Sequence, residues 1–495
     1  MSLINVSQMT FSYEGSYDDI FNNVSFQIDT AWKLGFCGRN GRGKTTFLKL
    51  LMGEFEYKGT ISASVSFDYF PFAVADKTLD TMSILVSLAP EAHSWQIKKE
   101  VSKLKLSEDT LYRPFETLSH GEQTKALLAG LFLRKDNFLL IDEPTNHLDM
   151  EARATVSQYL NNKNSFIVVS HDRAFLDNCV NHILSINKTD IEVIKGNFSA
   201  WHEQKKLKDA YELAQNEQLA NEISRLTEAS ERTGRWSDKA EKSKIGINPR
   251  KTEKCVGRRP YEAAKSAKLM KQAKNTERRR QTAADDKSKL LKNIETTDDL
   301  KIFTLNYHTQ ILLRVENLAI TYGQRIILSG LTFSLTQGDR AALSGSNGSG
   351  KSSLLKLICG EKIPHAGLIN IGSNLIISYV PQDTSFLSGS LKSYTEKHQL
   401  NETLFKSILR KLDFSRTQFD KDISDFSAGQ KKKVLLAGSL CQKAHLYVWD
   451  EPLNYIDVIS RIQIEELITT FKPTLLFVEH DRAFVDNIAT KIIEL

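Results

Sequence analysis

Hydrophobic and polar positions divide the chain into two similar stretches around a third that resembles neither. In the first stretch, strand-like segments at Ile4–Phe11 and Val24–Ile28 lead to an apolar run, Leu34–Cys37, followed at once by glycines and then by an apolar helical segment, Phe47–Met52. Further on, Phe138–Ile141 and Phe166–Val169 are uninterrupted apolar runs, the pattern of strands buried on both faces of a parallel sheet. A helical run, Lys125–Leu133, lies before the first of them. These periods predict an α/β domain, and the order repeats about 308 residues later.

The middle stretch runs from Trp201 to about Asn306. Residues Trp201–Thr233 contain neither Gly nor Pro and space Leu207, Tyr211, Ala214, Leu219, Ile223 and Leu226 as one long helix would. Gly234, Gly246, Pro249, Gly257 and Pro260 gather the breakers into a tip, and from Tyr261 to about Asn293 they vanish again. The expectation is a helical hairpin over 201–306 with its tip at about 234–260, between domains at 1–200 and 307–495.

Charge sharpens this picture. Between Glu231 and Arg280 there are 17 Lys and Arg against 6 Asp and Glu, about +11, whereas the whole chain carries +6, so the rest sums to about −5. Trp236, Lys242, Lys244, Arg250, Lys251, Lys254, Arg258, Arg259, Arg278, Arg279 and Arg280 combine cations with a ring for stacking, which suits RNA with exposed bases. A solvated helical spacer, kept soluble by its charges, is the competing reading. No apolar run approaches the ~18 residues of a membrane helix. The start shows no signal-peptide pattern, and the five cysteines are scattered without metal spacing, so a reduced, cytoplasmic, non-membrane protein is expected.

The chemistry sits at the ends of the apolar runs. Gly38, Arg39, Asn40, Gly41, Arg42, Gly43, Lys44 and Thr45, with Thr46 behind them, form GxxxxGK[ST] between a strand and a helix. Backbone N–H groups of such a loop wrap phosphates, the lysine neutralises β and γ oxygens, and the hydroxyl ligates Mg2+. Asp142 and Glu143 end a buried strand, where Asp142 can hold Mg2+ and Glu143 can orient or deprotonate water. His171 follows the next strand and could reach the γ-phosphate; a structural histidine is the plainer alternative. Ser119 and Gly121 begin a helix and form a second anion site, which one domain would not need for its own nucleotide.

The second stretch repeats this set. Gly345, Ser346, Asn347, Gly348, Ser349, Gly350, Lys351, Ser352 and Ser353 match the first loop. Ser427 and Gly429 match the second anion site, Asp450 and Glu451 the acidic strand end, and His480 the histidine.

These residues resemble an ATP-binding cassette. The family's signature, LSGGQ, is similar to Leu118-Ser119-His120-Gly121-Glu122 and to Phe426-Ser427-Ala428-Gly429-Gln430; His147-Leu148-Asp149 resembles its D-loop. The resemblance implies two tandem P-loop NTPase cassettes, adenine stacking on Tyr13 and Tyr322, and two ATP molecules sandwiched between cassettes within a monomer. An ordinary strand aromatic is the alternative for Tyr13. Gln382, after Tyr379-Val380-Pro381, implies an Mg2+ contact in the second cassette, whereas Phe72 occupies that place in the first and cannot supply one.

Two cassettes without membrane spans, joined by a long basic linker, resemble the ABC-F family and within it the Lsa-type antibiotic resistance proteins. That resemblance implies an ATPase acting at the tRNA exit site of the bacterial ribosome, with contacts to 23S rRNA and P-site tRNA, and protection of the peptidyl-transferase centre from lincosamides, pleuromutilins and streptogramin A. A housekeeping translation factor of the same family, or the ATPase of a separate exporter, are the alternatives.

Overall fold

The computed structural model describes residues 2–13, 19–134, 137–146, 148–186, 191–242, most positions between 264 and 282, and 300–323, 325–415 and 418–495. The chain forms two compact units: Met1–Trp201 together with Thr297–Leu495, and His202–Thr296.

The first cassette contributes strands β1 (Leu3–Phe11), β2 (Phe21–Asp29), β3 (Lys33–Cys37), β4 (Lys58–Ser62), β5 (Ser66–Phe70), β6 (Asn137–Asp142), β7 (Phe166–Val169), β8 (His182–Ile186) and β9 (Ile191–Lys195). Strands β2-β1-β4 make an antiparallel sheet, and β5-β6-β7-β3-β8-β9 a larger one that is parallel from β5 to β8. The continuous apolar runs become β6 and β7, whose Leu140, Ile141, Phe166, Ile167 and Val168 have no exposed surface. Helices on both faces cover them, so no polar alternation is needed. Phe36 and Phe47 pack edge to face between the sheets, each burying surface worth roughly 2–3 kcal/mol.

The second cassette repeats the plan with β10 (Ile311–Tyr322), β11 (Arg325–Thr336), β12 (Arg340–Ser344), β13 (His365–Ile371), β14 (Ile377–Val380), β15 (Leu446–Asp450), β16 (Leu475–Val478) and β17 (Lys491–Glu494). The antiparallel sheet has the order β11-β10-β13 and the parallel one β14-β15-β16-β12-β17. In both parallel sheets the strand that feeds the phosphate loop, β3 or β12, lies beside the strand that ends before the histidine, β7 or β16. The next strand, β6 or β15, carries the two acids. Ligand chemistry thus collects at the carboxyl edge of each sheet. Leu300 and Ile302, upstream of residue 307, are buried in the core of this cassette, and Thr304 bridges to Ala444.

The linker helix expected over 201–233 differs at both ends, spanning Phe198–Lys242. Phe198 and Trp201 anchor its start in the first cassette's core. Gly234 does not end it. A lone interior glycine costs about 1 kcal/mol relative to alanine but removes no hydrogen bond, unlike proline, so a helix can run through it. The described positions between 264 and 282 are helical, while 243–263 and 283–299 lie outside the described residues.

Candidate functional site

Each phosphate loop is built by glycines in conformations closed to other residues. Gly41 and Gly43 have φ of 80° and 87°, and a Cβ on Gly43 would lie 2.5 Å from Ile20 Cγ2. Gly348 and Gly350 repeat these angles at 85° and 93°. The loop ends in helix Lys44–Leu51 or Lys351–Ile358. Lys44 Nζ donates to the carbonyls of Gly38 and Arg39 at 2.8 and 3.1 Å, and Lys351 Nζ to those of Gly345 and Ser346, both at 2.8 Å. Burial lowers the pKa of both lysines, with the neighbouring carboxylates acting in the opposite direction. Both ammonium groups therefore sit inside the loop that phosphates would fill.

The acids stand behind the loop. Thr45 Oγ1 donates to Asp142 Oδ2 at 2.7 Å, and Tyr69 Oη to the same oxygen at 3.0 Å. In the second cassette Asp450 is fully buried; burial raises its pKa and the Ser352 hydroxyl opposes the rise. A hydroxyl beside a buried carboxylate is a hard-oxygen pair that fits Mg2+. One residue on, Glu143 and Glu451 both take left-handed backbones, φ 49° and 46°, anchored by N–H bonds to Val169 O and Val478 O. Non-glycine residues in that region concentrate at functional sites. His171 Nε2 lies 3.2 Å from Glu143 Oε1, and His480 Nε2 lies 3.5 Å from Glu451 Oε1.

The two glutamates differ. Burial and the charge of Asp142 push Glu143 up to about 8, against Lys44 and Arg461. Burial also acts to raise Glu451, but hydrogen bonding and charge from His480, with a hydrogen bond from Gln382, bring it below the usual carboxylate range. Gln382 Nε2 donates to Glu451 Oε2 at 2.8 Å. Phe72, in the corresponding place, is 40% exposed and offers no donor.

The cassettes face each other. A cavity of about 950 Å³ is lined by Ser119, Gly121 and Asp149 of the first cassette, and by Tyr322, Ser346, Asn347, Gly348, Gly350, Lys351, Ser352, Ser353, Gln382, Glu451 and His480 of the second. Ser119 caps helix His120–Leu131, so its N–H end opens on this space. Gly345 and Ser349 do not line the cavity, and Asp450 lies behind Ser352. Around the first loop, Asn40 Nδ2 donates to Tyr455 O at 2.7 Å, and a Cβ on Gly429 would stand 3.2 Å from that nitrogen. Ser427 caps the helix Ala428–Cys441 that carries Gly429. Arg39 and Arg42 approach Asp413 of the second cassette at 3.8 and 3.7 Å, and Arg173 meets Glu465 at 2.5 Å.

Tyr13 and Tyr322 are about half exposed, their hydroxyls bonded to Thr46 Oγ1 at 2.8 Å and Ser353 Oγ at 3.2 Å, and the Tyr13 ring packs edge to face with Phe11 and Phe55. Among the linker candidates, Trp236 and Lys242 belong to the long helix, and Arg278 and Arg279 are exposed. Lys244, Arg250, Lys251, Lys254, Arg258, Arg259 and Arg280 lie outside the described residues, as does His147. Sequence reasoning missed Tyr69, Asp413, Lys432 and Asn454, whose Nδ2 donates to Glu451 Oε2 at the cavity wall. The run Lys431-Lys432-Lys433 directly after the second signature was the one available signal, since three cations opening a helix that must pack are out of place on a core face.

The chain is similar to ribosome protection protein VmlR of Bacillus subtilis, 27% identical with 97% of this chain and 85% of the relative covered. It is also similar to energy-dependent translational throttle protein EttA of Haemophilus influenzae, 25% identical with coverage of 96% and 89%. Among solved structures, the archaeal ribosome recycling factor aABCE1, in complex with ribosomal stalk protein aP1, shares the fold with a TM-score of 0.64 at 18% identity, covering 98% of this chain and 87% of that one. The profile of the ABC transporter family matches residues 21–146 and 328–454, just over half of the chain, each match spanning a phosphate loop and the acidic strand end described above. With paired phosphate loops, signatures and strand-end acids in one chain, the protein belongs to the ABC transporter family as a tandem-cassette ATPase.

Proposed function

We propose that the chain is an ABC-F ATPase that binds the bacterial ribosome in the tRNA exit site and uses its linker to protect the peptidyl-transferase centre from lincosamides, pleuromutilins and streptogramin A. The observation that carries the reading is the composite cavity, in which Ser119 and Gly121 of one cassette face Lys351 and Ser352 of the other. ATP placed there is held by both halves, so nucleotide and closure are linked. Similarity to a ribosome protection protein and to a translational throttle protein, with the basic linker, supports the ribosome as partner.

In this reading Lys44 and Lys351 neutralise phosphate charge, and Tyr13 and Tyr322 stack on adenine. Thr45 with Asp142, and Ser352 with Asp450 and Gln382, would hold Mg2+, and the ion would supply charge neutralisation of the phosphates there. Glu143 and Glu451 orient the attacking water and accept its proton, while His171 and His480 fix the glutamates. Hydrolysis removes the shared γ-phosphate contact and releases the factor.

Cell-free translation separates this role from export. Purified protein should restore synthesis in a bacterial extract inhibited by a lincosamide, and failure to restore it would reject the protective role. Similarity to the throttle protein favours a second reading, a translation factor without drug action. That reading predicts altered synthesis in the same extract without drug and no rescue with it.

A further inference from the structure

The helix bearing the second signature carries a buried cation that the ATP-site reading leaves without a task. Lys432 is 1% exposed, and its Nζ donates to Pro381 O at 2.8 Å and Asp450 O at 3.1 Å. A hydrocarbon would fill the position without desolvating a charge, so what the ammonium adds is directional: it fixes two carbonyls. Those carbonyls immediately precede the side chains that meet, since Pro381 leads into Gln382, Asp450 into Glu451, and Gln382 bonds Glu451 at 2.8 Å. Lys432 therefore pins the backbone on both sides of that contact.

Cassette one lacks both halves of the arrangement. Five residues after its signature serine stands Thr124, where the second cassette has Lys432, and Phe72 stands where the second has Gln382. The cassette without the glutamine is also the one without the lysine. Gly429, on the same helix as Lys432, lies beside Asn40 of the other loop, so one rigid element reaches from the first site to the second.

We propose that Lys432 is a positioning residue for hydrolysis at the second site, holding Gln382 and Glu451 where the metal ion and attacking water require them, and that the first site works without this device. The proposal rests on the assignment of Glu143 and Glu451 above. A displacement of an ångström in a catalytic group lowers rates by an order of magnitude or more, whereas substrate contacts made by the phosphate loop stay in place.

The test uses the full chain with one site silenced at a time. In a Glu143→Gln background, which reports the second site, Lys432→Thr should lower kcat about tenfold, leave KM for ATP within about twofold and raise the Mg2+ needed for half-maximal rate. Lys432→Met, which keeps the stem and removes the donor, should give the same loss and carries the test if the threonine variant unfolds. In a Glu451→Gln background, which reports the first site, the same substitutions should lower kcat less than about threefold. Equal losses at both sites, or no loss at the second with either variant, would overturn the proposal. If neither glutamine substitution alone lowers turnover, the site assignment itself falls, a result distinct from failure of Lys432.

Discussion

Glu143 and Glu451 occupy equivalent strand ends with nearly equal φ, yet Glu451 accepts from the amides of Gln382 and Asn454, and Phe72 in the place of Gln382 offers Glu143 no such donor. Gln382 and His480 both support Glu451, whereas Glu143 has His171 and no glutamine, because Phe72 replaces it. Glu451→Gln should therefore reduce steady-state ATP turnover several-fold more than Glu143→Gln, measured by phosphate release; equal effects would remove the asymmetry. Phe72→Gln, introduced with Glu451→Gln so that only the first site turns over, should lower the Mg2+ concentration for half-maximal rate about threefold or more. The loops, acids and histidines were legible because their chemistry dictates residue type and spacing. Asp413 and Lys432 were not, since a lone acid in a turn and a lysine within a basic run acquire their meaning only from what folding sets beside them.

At the scale of elements, the two signature helices and their caps decide how the halves meet. Gly429 lies in helix Ala428–Cys441 where a Cβ would stand 2.4 Å from Tyr455 O, the carbonyl that accepts from Asn40. Gly429→Ala should push that loop away and lower turnover in a Glu143-dependent manner by about tenfold, read in the Glu451→Gln background. In the first cassette, helix Ser94–Lys103 is tied to its neighbour through Glu100, which accepts from Lys103 at 2.6 Å, Lys163 at 2.7 Å and Tyr159 at 2.8 Å. Burial alone would raise the Glu100 pKa, but these three donors more than reverse it, so the folded value lies below the ordinary 4.5. The stabilisation is therefore complete above about pH 4.5 and is lost as pH falls through the lower folded value. Glu100→Gln should destabilise this cassette by on the order of 2 kcal/mol at pH 7, and the gap in thermal midpoint should narrow toward pH 4. Helix periods and starts were readable in advance, as at Ser119, whereas its reciprocal cap with Glu122 emerged from the structure. The extent of the linker helix was not, because Gly234 weakens a helix without removing any of its bonds.

For the molecule as a whole, the proposed function has a basic linker, joined to two cassettes that share a nucleotide, tie ATP state to a large anionic partner. If Arg258 and Arg259 contact phosphates, their joint replacement by Gln should weaken ribosome binding and reduce the slope of log K against log salt by about one unit for each lost contact. An unchanged slope would favour a solvated spacer. Tandem organisation was legible because the phosphate loop, signature, acidic strand end and histidine each occur twice in the same order. The pairing of halves followed from a physical surplus, two anion sites per cassette, and the structure shows the cavity in which they converge. The central claim is that ATP held between the cassettes creates the form the ribosome retains, and the most direct measurement is co-sedimentation of the Glu143→Gln, Glu451→Gln double variant with bacterial ribosomes. The account predicts stable pelleting with ATP and little with ADP; pelleting that is absent, or equal with both nucleotides, would contradict it.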